Sequence, residues 1–134
     1  TIELDAIELP YPSKTNAKDE CIAFAIHRFD NCIESLDFFR IVMAQFLTDQ
    51  KFLKRFQEDL LKFKTSTDFE RRIQILIDAK KIVKEVSAKS VFNTIENYIF
   101  GAIIFKVIFE AVDINSVKTE IKEFAAIYGK GLEA

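Results

Sequence analysis

Near the start of the chain four ionisable residues, His27, Asp30, Glu34 and Asp37, stand three and four positions apart. On a helix that spacing sets them along one face, and an imidazole beside three carboxylates is a set able to bind a metal or relay a proton. The rest of the chain withholds the partners. A di-iron bundle uses a Glu-x-x-His pair on each of two helices, and this chain has one histidine. Cys21 and Cys32, eleven positions apart, match no usual zinc spacing. On one helix they would sit about 16 Å apart along the axis, beyond the roughly 7 Å between Cα atoms that a disulfide allows. The stripe therefore reads as a solvated helix face, with no metal and no cofactor expected. The cysteines read as free thiols of a reducing compartment; the residues contain no secretory signal, so the expected location is cytoplasmic.

Around the histidine, His27-Arg28-Phe29-Asp30-Asn31 resembles the H-R-x-x-N of the phosphorylated helix in some sensor kinases. The resemblance spans five residues and implies phosphotransfer on His27; the rest of that family's pattern is absent, and the residues alone describe a surface histidine beside Asp30. Glycine is missing before position 101, which excludes a phosphate-cradling loop and a dinucleotide fingerprint. No nucleophile turn accompanies the single histidine, so the residues lean away from an enzyme.

Charge is unevenly spread. Lys51 to Ser90 holds eleven basic and six acidic residues, +5, and the remainder of the chain is −7. Lys51, Lys54, Arg55, Arg71, Arg72, Lys80, Lys81 and Lys84 form a possible basic surface able to meet a phosphate backbone. Six interspersed acids and the lack of a nucleic-acid motif make that the weaker expectation. Abundant phenylalanine, 14 residues, also permits an apolar ligand held between helices, as in sensor domains.

The elements that must position these residues are helices. Scarce Gly and Pro with 49% hydrophobic residues is the composition of helices joined by short loops, and 134 residues suffice for one domain with a real core. We expect an all-α, single-domain bundle of about five helices, residues 18–134, preceded by an extended N-terminal arm, residues 1–17, broken by Pro10 and Pro12. A long helix is expected from Lys18 to Leu47, its inner face set by Ile22, Ala25, Ile26, Phe29, Ile33 and Leu36. A shorter one follows from Lys51 to Lys64, and a third from Thr67, boxed by Glu70, to about Ala88. The last runs from Asn115 or Ser116 to Tyr128, ended by Gly129 and Gly131.

Ser90 to Asp113 is the most apolar stretch and reads as a buried central helix; its apolar run stops at Lys106, short of a bilayer crossing, so no transmembrane segment is expected. Glu96, Lys106 and Glu110 mark one side of it as outermost, and Ile99 and Ile103 lie on that side. Gly101 suggests close approach of a neighbouring helix. In the first long helix, Phe38, Ile41 and Val42 occupy directions that are polar a turn earlier. Phe38, Ile41, Val42, Ile99 and Ile103 are therefore the expected interface. The functional expectation is a helical interaction or scaffold module without catalysis, a homodimer or the partner of another protein. An apolar-ligand sensor and a nucleic-acid subunit are the alternatives.

Overall fold

A computed structural model describes residues 8–52, 54–55, 68–83 and 85–134. The fold is all-α, a bundle with no strand among the described residues. Residues 8–16 carry no helix. Helix α1 spans Ala17–Glu34 and α2 spans Leu36–Thr48; α3 is Asp68–Asp78 and α4 is Ala88–Ala102. A π-helical segment, Ile103–Phe109, continues α4, and α5 spans Ile114–Leu132.

Local chemistry places the starts. Asn16 Oδ1 accepts from Asp19 N at 2.8 Å to cap α1, Ser87 Oγ from Ser90 N at 3.0 Å to cap α4, and Asp113 Oδ2 from Ser116 N at 3.1 Å to cap α5. Ser90 and Ser116 thus donate from inside the first turn, and the caps lie two or three residues before the expected starts at Ser90 and at Asn115 or Ser116. The expected long first helix is two helices, because Ser35 leaves the helical region (φ −106°, ψ 25°) between α1 and α2. The third helix stops at Asp78 and turns on Lys80, at φ 59°. Residues 81–83 instead run beside the C-terminus, where Val83 N donates to Leu132 O and Ala134 N to Lys81 O, both at 2.9 Å. The expected start at Thr67 and most of the expected Lys51–Lys64 helix lie outside the described residues.

Helices α1, α4 and α5 form the core, with α3 laid against α1 and α4. α4 runs parallel to α1, since Phe92 faces Phe24 and Glu96 meets Arg28 four residues further along each helix. α5 returns antiparallel: Lys118 reaches Asp30 at 3.0 Å, and Gly129 lies against Ala17 and Lys18. The glycine where two helices touch is therefore Gly129, since a Cβ on Gly101 would meet nothing within 4 Å. Neither Gly129 nor Gly131 ends α5, which continues to Leu132.

The central helix is turned the opposite way from expectation. Val91, Ile95, Ile99, Ile103 and Val107 form its buried stripe, with Ile99 at 1% and Ile103 at 0% exposure. Both therefore belong to the core and are removed from the interface. Glu96 and Lys106, which suggested an outer face, are ion-paired across helices: Arg28 Nε sits 2.7 Å from Glu96 Oε1, and Lys106 pairs with Glu120. Burial works against the Arg28 charge, and Glu96 overcomes it, raising the guanidinium above its ordinary value. By length and composition, Ala88–Phe109 is apolar enough to cross a membrane. In this fold 33% of that stretch is buried, along the stripe packed by α1, α3 and α5.

Candidate functional site

The ends of the parallel helices α1 and α4 coincide, and α5 begins beside them. α2, the π segment and the first turn of α5 therefore gather at one end of the bundle. Large apolar side chains are exposed there: Phe38 at 66%, Ile41 at 61% and Leu47 on α2, Phe105 at 60% and Phe109 at 66% on the π segment, and Ile114 on α5. α2 is tethered along its other side, where Phe39 stacks on Phe100 with centroids 5.8 Å apart and Leu36 packs on the core. Phe38, Ile41 and the half-buried Val42 share the free side, as their spacing requires.

The aromatic pair on the π segment was not legible as surface. The run Ile-Ile-Phe-Lys-Val-Ile-Phe is rich in β-branched and aromatic residues, which fit a tight α-turn poorly. The segment ends with Glu110 N donating to Phe105 O, five residues back, and Ala111 at φ 52°. The phenylalanines lie 6.1 Å apart and stand outward. An i,i+4 pair of aromatics near a helix end was the available signal.

The polar stripe on α1 disperses. Asp30 pairs with Lys118, Glu34 is exposed, and Asp37 lies 3.9 Å from Arg40. His27 is half-buried, edge-on to Tyr11 at 5.7 Å, with Nε2 3.2 Å from Asn31 Nδ2. Among the described residues no group of three or more His, Cys, Asp or Glu is placed to hold a metal ion.

The basic residues divide. Lys51, Lys54, Arg55, Lys80 and Lys81 are exposed, Arg71 lies 3.8 Å from Asp68, and Lys84 falls outside the described residues. Arg72 turns inward, its side chain only 11% exposed, 3.2 Å from Asp68 and 3.8 Å from Glu20. α3 therefore does not present Arg72 to a phosphate backbone.

Arg72 belongs to a second constellation, which sequence reasoning missed. Glu20, on the first turn of α1, is wholly buried; its Oε1 accepts from Lys14 N and from Ser13 Oγ. Arg72 stacks on the Tyr11 ring at 4.9 Å and donates through Nη2 to Tyr11 O at 2.7 Å. Asp68 Oδ2 accepts from Leu9 N at 3.0 Å, and Lys81 Nζ donates to Thr15 O at 3.3 Å. Residues 9–15 thereby lie across α1 and α3. Burial, then the Glu20 charge, holds the Tyr11 phenol well above its ordinary range. Among the described residues neither Tyr11 Oη nor Glu20 Oε2 has a hydrogen-bond partner.

Both cysteines are buried and free. Burial, followed by Glu20 and Glu133, pushes the Cys21 thiol from 9.0 up to about 12; burial outweighs Arg28 to raise Cys32 as well. A thiol whose native value is raised holds its proton more tightly folded than unfolded. Its contribution is complete below pH 9 and is lost as pH climbs toward 12. Urea denaturation should show stability falling above pH 9 by up to ~1.4 kcal/mol per pH unit per thiol, with a shallower fall in Cys21→Ser. An alkaline slope unchanged in that variant assigns the loss to another group. At pH 8 neither thiol of the native protein should react with an aromatic disulfide reagent.

No protein-family model matches the chain, nor does any curated protein or any solved structure.

Proposed function

We propose that this chain is a non-catalytic interaction module that self-associates through the apolar end of the bundle. One observation carries the proposal: α2, LDFFRIVMAQFLT, is strongly apolar yet none of its side chains among the described residues is fully buried, and its Phe38 and Ile41 stand in solvent. A patch of this kind costs free energy while bare and is commonly an interface. Phe105 and Phe109 extend the apolar character of that end. Closed two-fold symmetry, the commonest arrangement of soluble oligomers, would set the end of one copy against the same end of another. The buried free thiols suit a reducing, cytoplasmic setting.

Sedimentation velocity on the wild-type chain and the double variant Phe38→Asp/Ile41→Asp tests this. Each burial is worth about 1.5–3 kcal/mol, so the dimer constant should weaken at least ~100-fold while circular dichroism stays unchanged. A wild-type chain that is monomeric at about 100 µM, or a dimer that survives the double change, overturns the reading. Native mass spectrometry of the same preparation reports the competitors, since a retained lipid would make the apolar end a ligand site.

A further inference from the structure

The clasp around residues 9–15 is built as a peptide seat. We propose that Glu20, Asp68, Arg72 and Lys81 form a recognition site for an extended Tyr-Pro peptide, filled here in cis by the chain's own arm, which thereby blocks it. The proposal stands independently of the apolar end.

Three features separate this from an arm that is simply part of the body. The first is what the seat holds. Asp68 accepts from Leu9 N, Glu20 from Lys14 N, and Arg72 and Lys81 donate to the carbonyls of Tyr11 and Thr15. These are main-chain groups, which any extended segment presents. Specificity rests on Tyr11, whose ring has the Arg72 guanidinium over it at 4.9 Å and meets the His27 imidazole edge-on at 5.7 Å. The prolines on either side, Pro10 and Pro12, hold the segment extended.

The second feature is that Arg72, the centre of the seat, is positioned without the occupant. Arg72 is oriented from within α3 by Asp68 at 3.2 Å and faced by Glu20 at 3.8 Å. α1 has its own cap in Asn16, so chain leaving at Thr15 takes no helical hydrogen bond with it. A seat already in shape does not have to be ordered by its ligand.

The third is that the cis fit is incomplete. Among the described residues Tyr11 Oη and Glu20 Oε2 are both buried and lack a hydrogen bond, Glu20 Oε2 having only the longer 3.8 Å ion pair with Arg72. A segment selected only to complete the fold would satisfy them, because an unmade buried hydrogen bond opposes docking. The cis arm is therefore a competitor that a better-fitting segment can displace. Such a partner would carry the same aromatic-proline pair and a group that reaches Glu20 Oε2.

The whole 134-residue chain with Tyr11→Ala keeps the seat and loses the anchor of its cis occupant. A fluorescent peptide spanning residues 8–16 should bind this variant with a dissociation constant on the order of 100 µM by anisotropy. It should bind the wild-type chain at least ~10-fold more weakly, because the tethered arm competes at high effective concentration. The same peptide with its tyrosine changed to alanine should not bind. If Tyr11→Ala does not fold by circular dichroism, Pro12→Gly, which loosens the arm through its unfolded state, takes its place. A folded variant that takes up no peptide, or that takes up the tyrosine-free peptide equally well, overturns the proposal.

Discussion

Replacing Ile103 with glutamate is expected to unfold the protein rather than dissociate it. Ile103 is fully buried at the junction of α4 and the π segment, on the stripe that also buries Ile99 and Val107. The buried stripe it would join, with Val91, Ile95, Ile99 and Val107, offers the new carboxylate no counter-charge. Burying an unpaired charge and losing the isoleucine side chain together cost about 4–5 kcal/mol or more, a large share of the 5–15 kcal/mol that usually holds a domain. Urea titration should show little folded protein at neutral pH, at any protein concentration. A folded monomeric Ile103→Glu would instead return Ile103 to the surface. The contrast with Phe38→Asp/Ile41→Asp, which should fold and only weaken association, separates the core from the apolar end.

The glycines should divide by sign. A Cβ on Gly129 would stand 2.7 Å from Lys18 Cα and 3.0 Å from Ala17 O, and these are backbone atoms that cannot swing aside. Gly129→Ala therefore forces α1 and α5 apart along the principal packing surface of the bundle. Overpacking of this kind costs about 1–3 kcal/mol, offset by ~1 kcal/mol of helix propensity; with rigid backbone as the obstacle we expect a net loss of about 2 kcal/mol. Gly101, within α4, has nothing within 4 Å of its missing Cβ, so Gly101→Ala should stabilise by about 1 kcal/mol. Thermal and urea unfolding of the two variants should move in opposite directions. Equal shifts would mean that the close approach at Gly129 is not rigid.

Much of the architecture was legible residue by residue. The three-four recurrence of apolar residues announced helices, and the composition announced a bundle. Helix starts were legible to within a turn, because Ser, Asp and Asn cluster there, but a cluster does not say which member caps and which donates. The clasp at Glu20 was not legible. A carboxylate, an arginine 52 positions later and a tyrosine in an arm give no periodic signal, and their meeting depends on how α3 lies across α1.

The orientation of the central helix shows where the boundary falls. Hydropathy alone determined that Ser90 to Asp113 is the most apolar stretch, because it counts side chains one at a time. Which side faces the core depended on whether Glu96 and Lys106 are solvated or paired, a property of two residues at once. Arg28 and Glu120, on other helices, supply the partners and turn that stripe inward with Ile99 and Ile103. The exposure of α2 was decided in the same way. Phe38 and Ile41 are as apolar as the core residues. They remain in solvent because Ser35 breaks the long helix and α2 leaves along a course that its far side alone follows onto the bundle. Composition and period thus determined that helices form and which segments form them. Pairing and packing across the fold, which no local window contains, decided which faces meet and which stay exposed.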